Sequence, residues 1–504
     1  MVEKEHLPEK KKRASCKRFF KYLGLGLLVF MLTTSIIFQA PWKVITILTV
    51  ILACCTLLPK PSRKWFWLST CVIVIALIIW VFLPEDNEGR RPYTFDDELA
   101  AIEAKYALPD EENAALVYDE ILETLDTYTN QPEFFIKPKP SSRDEPWLTK
   151  DHPEMAGWLK DQQDTIGKLL QAAQKDKCIF LPIIDVFTIS EEVMDRISRI
   201  RIYAFLLVSA AHNDIAEGRT DAALEKFYCI NQMAKHMNQQ PAMLCHLVGI
   251  AIENLGLQNL NRFVIEDQLN EQQLQSVLNS KIDIENHWRD DWRKTIDIEK
   301  LCEKNMLCCM VYEKNAEGKV RLSRNPLAQW KEELPQQYSS PSGLQRKIYK
   351  AKTILNWLYY PSKPEKIAKV IDENFKKLYA MAESDFDWSR MPDFDWSVEL
   401  GQTRMSWKCN YRSLIESLIN MRSSHHKVNE LYLKNLAYRR GSRLLVAIKQ
   451  YEIENNNWPE SLDDIKSKVP AEAFIDPVSG KEFEYENQRE SFSLFGEKTN
   501  IWPK

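Results

Sequence analysis

Two short segments repeat a pattern able to do chemistry. Asp385-Phe-Asp-Trp-Ser389 recurs as Asp393-Phe-Asp-Trp-Ser397. An indole stacks on the apolar face of a sugar while carboxylates accept its hydroxyl protons, so Asp387, Trp388, Asp395 and Trp396 form a candidate interaction set. Two acids held about 5–9 Å apart could also hydrolyse a glycosidic bond. The same residues can instead punctuate a loop-to-helix transition, with Trp388 and Trp396 covering a helical core. A second pairing is His246 with Glu253, seven apart on one face of an expected helix and set among apolar neighbours. An embedded acid and imidazole can exchange protons, but two helical turns put them about 10 Å apart. A structural polar role suits that spacing. No HExxH, Walker A, GxGxxG, GxSxG or EF-hand pattern occurs, and no catalytic, cofactor-binding or metal-ligating residue is assigned.

The elements that must carry these residues are mainly helical. From Phe95 onward apolar residues recur at helical spacing, strand alternation is rare before the last thirty residues, and glycine is scarce at 14. A first helix should bury Ile200, Ala204, Leu207, Ala211 and Ile215 and stop at Gly218. Thr220 can cap the next, with Leu224, Phe227, Ile230, Ala234 and Met237 on its face. Pro241 suits the first turn of a third, Ala242 to Phe263, apolar nearly all round and therefore central. Antiparallel helices joined by a glycine turn follow the building rule of tetratricopeptide (TPR)-like stacks, although no 34-residue period is present. The expectation is an irregular TPR-like helical domain. Further helices are expected at 113–127, 154–174, 270–312, 343–358, 363–382 and 427–454. The proline-bearing stretch 131–147 should run as an extended surface loop.

Ahead of this body stand three apolar stretches, Tyr22–Ala40, Val44–Leu58 and Trp65–Leu83. A bilayer-crossing helix needs about 20 apolar residues, so residues 22–84 are expected to supply three transmembrane helices, the middle one short. Eight basic residues precede the first stretch, and Lys60, Arg63 and Lys64 precede the third. Basic flanks stay in the cytoplasm. Residues 1–21 then form a basic cytoplasmic arm, and 85–504 lie outside, on a bacterial inner membrane. The overall charge of −4 comprises +5 for 1–21, +4 for 22–84 and hence −13 for 85–504. The arm suits anionic lipid headgroups, and the acidic remainder disfavours nucleic acid.

Seven of the 11 cysteines follow the apolar stretches. Cys302 with Cys308 or Cys309 is the nearest candidate disulfide, but scattered spacing is no disulfide framework, and buried thiols acting as small apolar side chains are the favoured reading.

The carboxyl-terminal block is the most patterned soluble segment. A helix carrying Leu444, Leu445, Ala447, Ile448 and Tyr451 runs to Trp458-Pro459, where Pro459 should halt it, and Ser461 can open a short helix. Asp476-Pro477 through Gly480 should turn, and 481–486 with 491–495 should pair as a hairpin. This order resembles the periplasmic part of type II secretion major pseudopilins, in which an aromatic-Pro precedes a DP-x-x-G-x-x-Tyr loop. The resemblance covers about 60 residues; the chain departs from it in having three apolar stretches, and in lacking evident calcium-loop acids after Tyr485. A broader likeness to uncharacterised bacterial membrane-anchored helical proteins spans Glu112–Tyr118, Pro146-Trp147, Asp151–Glu154, Trp158-Leu159 and Glu217–Leu224. It implies a helical extracytoplasmic domain, 85–426, followed by a pseudopilin-like module, 427–504. The expected function is protein interaction or scaffolding, with a protein partner beside the lipid bilayer. An accessory role in secretion and an envelope glycan-binding or glycan-hydrolysing activity are the alternatives.

Overall fold

The computed structural model describes residues 91–124, 131–136, 141–179, 191–266, 269–279, 288–322, 364–380, 412–488 and 491–503. The three apolar stretches and the 343–358 helix lie outside the described residues, as do Asp387, Trp388, Asp395 and Trp396. Among the described residues, no helix is long and apolar enough to cross a membrane.

The described chain is mainly helical and divides into two compact units. The larger draws on the described residues within 95–303, 371–380 and 420–503; the smaller draws on those within 91–94, 304–322, 364–370 and 412–419.

In the larger unit the N-terminal helices are α1 (Asp96–Tyr106), α2 (Ala115–Thr124), α3 (Glu133–Ile136), α4 (Pro153–Asp161) and α5 (Gln163–Ala173). The helix expected over 154–174 is two, because Gln162 leaves helical geometry at φ −87°, ψ 4° and its N–H turns back to Trp158 O. The loop expected over 131–147 is not simply extended. Its Phe135, Ser141, Ser142 and Trp147 are buried, and the Trp147 indole donates to Ser209 O at 3.0 Å. Aromatic burial there outweighs the extended preference of the prolines.

The centre is α6 (Glu191–Ala216), α7 (Thr220–Asn238) and α8 (Met243–Glu266). Ile200, Ala204, Leu207 and Ala211 of α6 are buried, and Gly218 adopts φ +75° as the expected stop. Asp214 fixes the turn by accepting from Arg219 at 2.7 Å and Lys226 at 2.6 Å. Thr220 does not cap α7. It is the first helical residue, Arg219 holds the cap position, and no side-chain cap bond forms. The apolar face of α7 packs between its neighbours, and 14 of the 24 residues of α8 are buried, so α8 is central.

Within the span 270–312 stand α9 (Glu271–Asn279) and α10 (Trp288–Val311), and residues 280–287 lie outside the described residues. Next come α11 (Glu365–Ala380) and α12 (Arg412–Asn455), which starts well before the expected 427. The latter ends where Asn456 takes φ +56°, three residues before Pro459. Asn tolerates that left-handed geometry, so it stops the helix where Pro459 was expected to.

The C-terminal block continues the larger unit. Ser461 caps a short 3₁₀ turn, Leu462–Ile465, through a capping box with Asp464. The expected hairpin gains a third member. Strands Glu484–Asn487, Phe492–Phe495 and Asn500–Trp502 form an antiparallel sheet in that order. Asp476 organises the turn before it. Fully buried, its carboxylate accepts from Val478 N, Ser479 N, Ser479 Oγ and Glu497 N, and Gly480 takes φ +71°. Tyr485 Oη donates to Pro459 O at 2.8 Å. Asp476, Gly480 and Tyr485 thus help to hold this block together.

The smaller unit contains an antiparallel sheet absent from the sequence reading: Arg91–Pro92, Tyr312–Lys314 and Val320–Leu322. Its turn places Gly318 at φ +80°. The candidate Cys302 pairing does not form, and the favoured reading of thiols outside disulfides holds for Cys302, Cys308 and Cys309. Six or seven residues along one helix separate the sulfurs' backbones by about 9–10 Å, beyond disulfide reach.

Candidate functional site

A set of converging side chains belongs to α7 and the two residues that follow it. Helical periodicity puts Gln232, His236, Gln239 and Gln240 on one ridge, away from the apolar stripe of Leu224, Phe227, Ile230 and Ala234. This ridge does not face solvent. It faces segment 175–179, which leaves α5 through a bend at Asp176 and lies between α7 and the start of α2. His236 Nε2 lies 2.8 Å from Lys175 O, and Gln232 Nε2 donates to the same oxygen at 3.0 Å. Gln239 takes Asp176 O with its amide nitrogen and Cys178 N with its oxygen, at 2.9 and 2.8 Å. Gln240 donates to Cys178 O at 2.8 Å. From α2's side, Asn113 accepts from Ile179 N and donates to Ile179 O.

The partners of His236 fix its tautomer. With Nε2 facing a carbonyl, that nitrogen carries the proton, and Nδ1 accepts from Tyr118 Oη at 3.0 Å. Burial pushes the imidazole down to about 4, against the pull of the Lys175 carbonyl. A free histidine titrates near 6.5. Between those values the unfolded chain binds a proton that the folded one refuses, so stability rises with pH across the window and falls as acid is added. The gap is worth roughly 3 kcal/mol. His236→Gln should therefore flatten the dependence of the unfolding midpoint on pH between 4 and 6.5. Equal slopes for both proteins would refute this assignment. His212, lowered by burial as well, adds to the slope in the same direction.

A second polar group gathers on α10. Asp297 accepts from Lys105 Nζ and Tyr106 Oη, each at 2.7 Å, and from Tyr379 Oη. Burial alone would raise its carboxyl, but these three hydrogen bonds hold it below the usual range. Burial pushes the Tyr106 phenol up to about 12. Both tyrosines are thus donors at neutral pH, and the cluster clasps α1 and α11 to α10. Nearby, Lys294 donates to Gln239 O at 2.7 Å; burial lowers its ammonium and raises the Asp291 carboxyl.

The two residues singled out in α8 take separate partners. His246 Nε2 lies 2.6 Å from Thr295 Oγ1 of α10, whereas Glu253 receives both Nε and Nη2 of Arg439 from α12. They do not form an acid–base pair; each ties α8 to a different helix. Burial also raises the thiols of Cys178, Cys229 and Cys245, the last to about 12. These behave as small apolar side chains.

Sequence reading missed the α7 ridge. Its only signal was an excess of amide side chains on a helix flanked by apolar residues, and amides on a helix ordinarily mark a solvated face. Among the described residues, no three His, Cys, Asp or Glu side chains are grouped to hold a metal ion. No protein-family model matches the chain, and comparison with curated proteins and with solved structures yields no match.

Proposed function

We propose that this chain is a membrane-anchored scaffold presenting a helical extracytoplasmic domain to other proteins. The observation that carries this reading is the α7 ridge. Four side chains and Asn113 hold an extended segment through its main-chain groups, which is the chemistry of polypeptide recognition. The antiparallel succession of α6, α7 and α8 around a glycine turn supports a TPR-like domain, an architecture suited to cradling segments of other chains. The apolar stretches of residues 22–84 and the basic arm before them support anchorage in a bacterial inner membrane, with the acidic domain outside. A second reading, an accessory part of a secretion system, is favoured by the way Asp476, Gly480 and Tyr485 organise the C-terminal block.

Crosslinking in intact cells, followed by purification through the anchor, is expected to recover a reproducible protein partner. Protease added outside spheroplasts is expected to digest residues 85–504. Protection of that region would place it in the cytosol and end the envelope assignment. Recovery of no partner would remove the scaffold.

A further inference from the structure

The contacts around segment 175–179 read it as a polypeptide rather than as one particular sequence. Gln239 spans Asp176 O and Cys178 N, two groups that an extended strand presents on one edge. Asn113 matches both main-chain groups of Ile179, and Ala114 N donates to Lys177 O at 2.9 Å. The amide side chains among these are neutral, so holding a strand this way buries no new charge. Of the five side chains in the segment, Cys178 alone is fully buried, while Asp176 and Lys177 are exposed. Two further contacts add charge. Lys175 Nζ reaches the carbonyls of Asp110 and Glu111, and Lys177 Nζ pairs with Glu112 at 2.7 Å.

From this geometry we infer that the groove between α2 and α7 is a docking site for an extended segment of a partner protein, and that residues 175–179 fill it as a displaceable strap. The contacts define the ligand as an extended strand with basic residues at the Lys175 and Lys177 positions and a small apolar one at the Cys178 position. The backbone contacts would set affinity, the Glu112 edge would favour basic segments, and the small buried position would reject bulky ones. This rests on the scaffold reading and gives it a place on the fold.

The test uses the full chain in detergent and a fluorescent peptide of residues 172–179. Cys178→Asp puts an unpartnered carboxylate into the buried position and should expel the strap while leaving the groove intact. The peptide is expected to bind this variant saturably and at least tenfold more tightly than wild type. Adding Gln239→Ala and Gln240→Ala should abolish binding. Absence of binding to the folded variant, or binding indifferent to the two glutamines, would overturn the inference. So would exchange of straps between two copies, seen as a dimer that the peptide cannot dissociate.

Hydrogen exchange on wild type covers the case in which Cys178→Asp fails to fold. The amides of Cys178 and Ile179 should exchange through a local opening while those of Ile230 and Met233 stay protected. Exchange of all four only by common global unfolding would mean the strap never leaves. A partner crosslinked equally well with and without Gln239→Ala would keep the scaffold and discard the groove.

Discussion

Arg439→Met is expected to destabilise the larger unit by about 3–5 kcal/mol, an effect large enough to unfold many domains outright. Both Nε and Nη2 of Arg439 meet the two carboxylate oxygens of Glu253, and the side chains are only 4% and 11% exposed. Removing the guanidinium alone leaves a buried carboxylate facing a methionine. Removing both charges is a different operation. Two desolvated ions recover little more than they lost on leaving water, so Glu253→Leu with Arg439→Met should be close to neutral, or more stable by about 1–4 kcal/mol. Urea midpoints for the two single variants and the double one close the cycle. A double variant that loses the sum of the two single losses would show that the ions do not act as a pair.

The position of Arg439 makes this more than a local test. Asn435, one turn earlier on α12, donates to Asn254 Oδ1 of α8 at 3.1 Å. The residues on either side of Arg439 face elsewhere. Tyr438 Oη donates to Asn500 O, and Arg440 Nη1 donates to Ile475 O at 2.7 Å. Gly441 lies so close to Ile501 that an added Cβ would meet its side chain at 2.6 Å. Residues 438–441 therefore grip the helical body and the C-terminal sheet within a single turn. Loss of the Glu253 contact should loosen the sheet as well, and the Trp458–Phe492 ring contact at 4.8 Å provides a fluorescence reporter for it.

What the sequence disclosed depended on how far apart the interacting residues lie. Gly218, Gly480 and Ser461 act within a few residues of themselves, as does Asp476 toward Val478 and Ser479, and the turns and cap expected from them form. The apolar faces of α6 and α7 and the all-round burial of α8 were legible for the same reason, since periodicity is local. The break at Gln162 was not, because no proline or glycine marks it. The third C-terminal strand, Asn500–Trp502, is three residues long and too short to alternate convincingly. The partners of His246 and Glu253, and the grip of α7 on residues 175–179, bring together residues 49 to 186 apart in sequence. Residue type hints that such polar groups need partners; only the fold names them.

The close approach of α7 and α8 is the feature most exposed to a single-atom test. Gly249 and Gly256 are seven apart on α8 and face Asn238 and Asn231, seven apart on α7. A Cβ at Gly249 would fall well inside contact distance of Asn238 Oδ1 and 2.9 Å from Ala234 O; at Gly256 it would lie 2.9 Å from Asn231 Oδ1 and Ile230 Cγ2. The Ala234 oxygen is backbone and cannot swing away, so Gly249→Ala must part the helices. Overpacking of this kind costs about 1–3 kcal/mol, against a propensity gain of up to about 1 kcal/mol for alanine in a helix. We expect a net loss of up to about 2 kcal/mol for Gly249→Ala and a smaller one for Gly256→Ala, where side-chain atoms can shift. Gly167 on α5 provides the control, because nothing lies within 4 Å of an added Cβ. There the propensity gain stands alone, and Gly167→Ala should raise the melting midpoint. If Gly249→Ala raises it too, α7 and α8 are not in glycine-mediated contact. The polar ridge of α7 would then lose the rigid backing that aims its glutamines at the strap.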